Sequence, residues 1–127
     1  MPWCFSDEQT SESEALLDRL SHEDVFAPAL WALEVINTLD VAERKGRITS
    51  ATTDAFIARL RRMKVILDHD LEGRAFSEIT KLTRRHKISA YDASYLELAI
   101  RLRIPLASRD EKLKSAAKNA GVALIGA

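Results

Sequence analysis

Three carboxylates, Glu34, Asp92 and Asp110, are the residues of this chain whose positions suggest chemistry. Glu34 lies in the apolar run from Ala29 to Leu39, where a buried carboxylate with neither partner nor metal is strongly unfavourable. Asn37 follows at i+3 and, on a helix, would reach the same site. A second interpretation is equally simple: Glu34 lies at the edge of a helix and points to water.

Asp92 and Asp110 each have a structural explanation beside the functional one. Ser89 and Asp92 have the spacing of a capping box, and an acid in the first helical turn interacts well with the helix dipole. Asp110 follows a predicted strand and precedes a predicted helix, which suits an N-cap. The carboxyl end of a strand in an open α/β sheet is also where ligand sites form. Three acids at one such edge would repel one another, and a hard cation such as Mg²⁺ or Mn²⁺ would relieve the repulsion.

The elements that would position these acids alternate along the chain. Short apolar segments predict strands at Asp24–Pro28, Val65–Leu67, Ile104–Ala107 and Val122–Ile125. Capping residues and apolar periodicity predict helices at Ser11–Leu20, Pro28–Lys45, Ser50–Met63, Leu71–His86, Ala90–Leu102 and Glu111–Ala120. The alternation predicts βαβ units and a parallel sheet covered on both faces, within one α/β domain spanning residues 1–127.

Composition narrows the class of protein. Lysine plus arginine equals aspartate plus glutamate at 19 each, so the net charge is +0 and argues against a strongly electrostatic nucleic-acid coat. A local basic rim around an acidic centre remains compatible with that total. The single cysteine excludes an intrachain disulfide, and the polar N-terminal region predicts neither a signal peptide nor a membrane span. We expect a cytoplasmic domain without membrane contact.

Three blocks of the sequence occur in a specific order. They are Pro28–Leu39, which contains Glu34-x-x-Asn37, then Tyr91–Ala99, which reads YDASYLELA, and then Pro105–Leu113. In this order they resemble the PIN-domain family, and within it the VapC-type toxins of bacterial toxin–antitoxin pairs. The resemblance covers essentially the whole chain and implies a three-layer α/β/α domain with a central parallel sheet.

The resemblance also implies an activity and partners. It implies a Mg²⁺- or Mn²⁺-dependent endoribonuclease that acts on structured or single-stranded RNA, forms a homodimer and is inhibited by a VapB-type antitoxin. Position by position, Glu34, Asp92 and Asp110 match the acidic metal-site residues of the family. Asn37 and Ser108 match its supporting polar positions.

One part of the family pattern has no counterpart in this sequence. Family members begin with a hydrophobic strand that ends in an aspartate, ahead of the block that matches Trp3–Glu8. Asp7 is not a substitute, because it matches the later Asp-Glu pair that leads into the first helix. We therefore expect a chain that begins at an internal methionine, a sheet without its N-terminal strand, weaker metal binding and little turnover.

RNA would need cations beside the acidic centre. The candidates are Arg44, Lys45 and Arg47, then Arg84, Arg85 and Lys87, and finally Arg109 with Lys112. For most of these residues the simpler interpretation is a solvated helix end, where basic side chains suit the dipole; Arg109 is the exception because it adjoins Asp110. Two further hypotheses stay open: a catalytically silent PIN-like module that binds an antitoxin-like partner or RNA, and a decayed gene product that folds poorly.

Overall fold

The strands of the described residues form one parallel sheet. The computed structural model describes residues 3–5, 24–63 and 65–125. Within these ranges the strands are β1 (Trp3–Phe5), β2 (Val25–Pro28), β3 (Ile66–Asp68) and β4 (Leu106–Ala107). Their order in the sheet is β3-β2-β1-β4. The register pairs Cys4 with both Phe26 and Leu106, and Pro28 with Asp68. The parallel sheet that the sequence predicts is therefore confirmed.

The helices of the described ranges lie close to their predicted positions. They are α1 (Trp31–Arg44), α2 (Ser50–Met63), α3 (Leu71–Arg74), a π-helical turn (Ala75–Ile79), α4 (Thr80–His86), α5 (Ala90–Leu102) and α6 (Glu111–Asn119). None of these helices is long and apolar enough to cross a membrane. The predicted helix Ser11–Leu20 falls outside the described residues.

The segment from Leu71 to His86, predicted as one regular helix, contains an irregular turn. Five residues in its middle, Ala75–Ile79, form a π-helical turn. The Thr80 hydroxyl donates a hydrogen bond of 2.7 Å to the Ala75 carbonyl, five residues back. Hydroxyl side chains that bond to the preceding turn distort regular helices, and apolar periodicity carries no signal for this local competition.

Helix α5 is buried around its whole circumference from Ala93 to Ala99. It packs on β1, β2 and β4 and also against the π-helical turn and α4. A helix that is enclosed on all sides belongs to the core rather than the surface. This position explains why Ser94 and Glu97, the buried polar residues of the described ranges, both lie on α5.

The centre of the sheet differs from the prediction. No strand was predicted at Trp3–Phe5, but this segment occupies the central position between β2 and β4. The Cys4 amide donates to the Pro105 carbonyl at 2.9 Å, and the register continues on both sides. An empty position here would leave buried main-chain groups of β2 and β4 without partners, which folded proteins avoid.

Cys4 provides a direct test of this central strand. Its side chain is completely buried, and its thiol lies 3.6 Å from the Tyr95 carbonyl, to which it donates. Burial raises the pKa of the Cys4 thiol well above its ordinary value. We expect no reaction with a thiol reagent such as DTNB in the folded protein, and one equivalent in denaturant. Rapid reaction of the native protein would contradict a central Trp3–Phe5 strand.

The buried Cys4 thiol also makes the stability of the protein depend on pH. The folded state holds the neutral thiol, whereas an unfolded chain ionises it with a pKa of about 9.0. This contribution to the free energy of unfolding is therefore fully present below that unfolded-state pKa and is lost as the pH rises above it.

The last predicted strand is much reduced. Val122–Ile125 contributes one isolated parallel bridge between Leu124 and Leu106 rather than a strand. Two main-chain hydrogen bonds hold it, from the Leu106 amide to the Ala123 carbonyl at 2.9 Å and from the Ile125 amide to the Leu106 carbonyl at 3.0 Å. Because β4 has only two residues, it offers a fifth strand almost no length for pairing.

Candidate active site at the carboxyl edge of the sheet

Two of the sequence-predicted acids lie where parallel strands end. Glu34 is in the first turn of α1, which follows the end of β2 at Pro28. Asp110 comes three residues after the end of β4 at Ala107. These strands are parallel, so their carboxyl ends lie at the same edge of the sheet, which is the usual position of ligand sites in open α/β folds.

Glu34 is held by a side chain from the buried helix. The Tyr95 hydroxyl donates a hydrogen bond of 2.5 Å to Glu34 Oε1. Glu34 is half-buried and Tyr95 is buried, so solvent competes little for this contact. The interpretation of Glu34 as a purely water-facing residue at a helix edge is therefore not the arrangement observed.

Asp92 lies on the same helix as Tyr95, the partner of Glu34. Asp92 is half-buried in the first turn of α5, three residues before Tyr95. Side chains three apart on a helix are neighbours, with roughly 5–6 Å between their Cβ atoms. The helix start itself is capped as predicted, because Ser89 Oγ accepts a hydrogen bond of 3.0 Å from the Asp92 amide.

Asp110 caps helix α6. Its Oδ1 accepts a hydrogen bond of 2.9 Å from the Leu113 amide, which confirms the N-cap interpretation. Ser108 supports the same turn, since its Oγ accepts a hydrogen bond of 3.1 Å from the Asp110 amide. The Asp110 side chain is exposed, so it can contact a ligand from solvent while it caps the helix.

The chemistry of these side chains suits a hard cation. Within the described part of the chain, no group of three or more His, Cys, Asp and Glu side chains is arranged to hold a metal ion. Mg²⁺ rarely uses an all-protein cage and is commonly bound by one or two carboxylates together with waters and substrate phosphates. Glu34, and Asp92 on the helix that carries its partner Tyr95, have the oxygen chemistry for that coordination.

The remaining predicted residues lie on the surface around this edge. Asn37, Arg109 and Lys112 are all exposed. Lys112 lines a surface cleft of about 410 Å³ between the end of α4 and α6, together with Arg85 and Lys87. The structure thus brings together two of the basic clusters that are far apart in the sequence.

Tyr95 is the residue of the site that the sequence did not single out. It belongs to the YDASYLELA block, but its aromatic type and apolar surroundings suggest only a core residue. The available signal was its spacing, one helical turn after Asp92, which places the hydroxyl on the face that carries the acid. Its partner Glu34 is 61 residues away and could not be inferred from local spacing.

Comparison with known proteins agrees with the fold. The family model of the PIN domain matches residues 3–119. Ribonuclease VapC3 of Mycobacterium tuberculosis, in two strains, is 32% identical over 102 residues, which cover 80% of this chain and 72% of the relative. The crystal structure of PAE2754 from Pyrobaculum aerophilum superposes with a TM-score of 0.66 at 20% identity, covering 91% of this chain and 87% of that one. The chain belongs to the PIN domain family, and ribonuclease VapC3 is among its relatives.

Proposed function

We propose that this protein is a divalent-metal-dependent endoribonuclease toxin in which Glu34, Asp92 and Asp110 hold the cation. The observation that carries the proposal is the Tyr95–Glu34 hydrogen bond, which joins the α1 acid to the helix bearing Asp92 at the carboxyl edge. The similarity to a protein named ribonuclease VapC3 supports RNA as the substrate.

The residues have separate parts in the proposed reaction. A Mg²⁺ or Mn²⁺ ion bound there would activate a water and stabilise charge on the scissile phosphate. Glu34 and Asp92 would hold the cation through carboxylate oxygens, and Tyr95 fixes the orientation of the Glu34 carboxylate. Asp110 joins them from the turn after β4, where Ser108 supports its main chain. Hydrolysis by in-line attack leaves a 5′-phosphate and a 3′-hydroxyl, with Asn37 as a polar neighbour of the site.

The experiment is RNA cleavage by the purified protein. Total tRNA and a structured RNA are incubated with the protein in EDTA, and again after Mg²⁺ or Mn²⁺ is added. We expect fragments with 5′-phosphate ends only when the divalent ion is present. RNA binding without fragments under every condition would instead support the catalytically silent module.

We also propose a VapB-type antitoxin as the inhibitory partner, in the cytoplasm. An apolar cleft between α1 and α2 supports this pairing, with Trp31, Val35, Ile36 and Leu60 in its lining and Arg61 beside them. Among the described residues, none provides a hydrogen-bond partner for the buried Trp31 Nε1, so a bound peptide with a carbonyl or carboxylate would satisfy it. The cleft therefore suits an apolar, acidic segment of an antitoxin.

A charge placed in this cleft should weaken inhibition. With a candidate antitoxin that blocks RNA cleavage, we expect Ile36→Asp to restore cleavage, because a carboxylate would be buried beside Val35 and Leu60. Leu33→Asp is the matched control, since Leu33 is on the same helix, is 75% exposed and does not line the cleft. Full inhibition of the Ile36 variant would exclude this cleft as the docking site.

The homodimer remains part of the proposal. Phe76 is 94% exposed in the π-helical turn, and we propose that a second copy of the chain covers it. Light scattering should give the mass of two chains for the protein and of one chain for Phe76→Ser. A monomeric wild-type protein would rule out the dimer.

A further inference from the structure

We propose that the cleft between α4 and α6 binds the phosphate backbone of the RNA substrate. We call it the basic cleft; its lining consists of Arg85, His86, Lys87, Lys112, Ser115, Ala116 and Asn119. This inference builds on the proposed ribonuclease function and assigns the surface that would hold the substrate.

The charge of the basic cleft differs from that of the whole chain. Among the described residues, its lining contains Arg85, Lys87 and the imidazole of His86 from the end of α4 and its cap, Lys112 from α6, and no acid. The complete protein has a formal net charge of +0, so this concentration of positive charge is local. The neighbouring acid Glu111 lies 3.4 Å from Lys114, with which it forms an ion pair. A polyanion would therefore meet a positive surface here even though the protein is neutral overall.

The polar residues of the basic cleft suit the same ligand. Ser115 and Asn119 lie one helical turn apart on α6 and line the cleft beside Lys112. Hydroxyl and amide side chains commonly hydrogen-bond to phosphate oxygens, and such contacts position a nucleic acid without reading its sequence. The basic cleft is thus suited to hold the backbone of RNA, with no requirement for a particular base.

The basic cleft is close in sequence to two of the proposed metal ligands, Asp92 and Asp110. Lys87 ends α4 in the left-handed conformation with φ 55°, and Ser89 then caps the helix that carries Asp92. On the other side, Lys112 follows Asp110 by two residues in α6. RNA in the basic cleft would therefore lie next to the segments that present two of the three proposed metal ligands.

The test is a comparison of two variants that each lose three positive charges. The cleft variant carries Arg85→Gln, Lys87→Asn and Lys112→Gln; asparagine is chosen because it tolerates positive φ. The control variant carries Arg62→Gln, Lys81→Gln and Arg103→Asn, which remove three exposed positive charges outside the basic cleft and the predicted RNA contacts. Binding of a fluorescent single-stranded 12-mer RNA is followed by anisotropy in EDTA, which prevents metal-dependent cleavage, over a range of salt concentrations.

We expect the cleft variant to bind RNA at least about tenfold more weakly at low salt, with the salt dependence of log K reduced by about 2, as expected for three lost contacts to single-stranded phosphates. The control variant should bind like the wild-type protein. Equal losses in the two variants, or unchanged binding by the cleft variant, would overturn the proposal. So would displacement of the RNA by a polyglutamate peptide at equal charge concentration.

These outcomes separate the cleft from the nuclease function. If the wild-type protein cleaves RNA with Mn²⁺ but the cleft variant binds it normally, the cleft proposal fails alone. If the cleft variant loses RNA binding but the wild-type protein never cleaves, the nuclease proposal fails and the binding surface stands. Circular dichroism of both triple variants confirms that neither result comes from unfolding.

Discussion

Glu34→Gln and Asp92→Asn should each lower the rate of RNA cleavage by roughly 100-fold or more. A bound cation contributes several kcal/mol to transition-state stabilisation, and each 1.36 kcal/mol corresponds to about tenfold in rate. Both substitutions keep the shape of the side chain but remove its negative charge. In the Glu34→Gln variant the amide oxygen can still accept the hydrogen bond from Tyr95, so the packing of α1 against α5 should persist.

The matched control for these acids is Asp40→Asn. Asp40 lies on α1, two turns from the site, and forms an exposed ion pair of 2.9 Å with Arg44. Its substitution changes the net charge by the same amount as Asp92→Asn, and cleavage should stay within about twofold of wild type because exposed pairs of this kind contribute little. If the three variants cleave RNA at similar rates, Glu34 and Asp92 do not hold the catalytic ion.

Arg101→Met should lower the free energy of unfolding by about 3 kcal/mol, which is near the lower end for breaking a buried ion pair. Arg101 donates hydrogen bonds to Glu97 at 2.9 Å and to Asp68 at 2.8 Å. The Glu97 side chain is only 7% exposed, while those of Arg101 and Asp68 are each 20% exposed. Without Arg101, Glu97 would keep Arg74 as a more distant cationic partner at 3.7 Å.

The protonation state of Arg101 does not limit this prediction. Its hydrogen bonds to Glu97 and then to Asp68 raise the pKa of the guanidinium above its ordinary value. A raised pKa in the folded state contributes stability that is fully present below the unfolded pKa, so the contribution from Arg101 is constant through the neutral range.

Urea unfolding measures the effect, with Arg44→Met as the control. The Arg44–Asp40 pair has a similar distance, but its side chains are 78% and 42% exposed, so its loss should change the free energy of unfolding by less than about 1 kcal/mol. Equal destabilisation by the two methionine variants would show that Arg101 does not anchor the end of α5 to β3.

The helices were largely predictable because their signals are local. Ser89 was expected to cap α5 and does so through its hydroxyl, and Gly46, expected to end the preceding helix, adopts a φ of 71°. Such caps depend on residues within one turn, where sequence spacing specifies geometry. The π-helical turn was missed because it depends on hydroxyl contacts that apolar periodicity does not reveal.

The centre of the sheet was less predictable because strand pairing joins distant segments. Trp3–Phe5 pairs with β2 and β4, and only the complete sheet shows that this segment fills the central position. The same limit applies to the site. The sequence pattern predicted Glu34, Asp92 and Asp110 as site residues. The hydrogen bond from Tyr95 to Glu34 and the approach of Lys112 to the end of α4 are tertiary contacts, which local spacing does not specify.

A crystal of the protein soaked in Mn²⁺, with diffraction recorded at a wavelength that gives manganese anomalous signal, would show directly whether the acids hold a cation. We expect an anomalous peak at the carboxyl edge of the sheet, in direct contact with carboxylate oxygens of Glu34 and Asp92 and within reach of Asp110. A Mn²⁺ ion bound elsewhere while this edge holds only water, or the Glu34 and Asp92 carboxylates turned away from each other, would refute the proposed metal site.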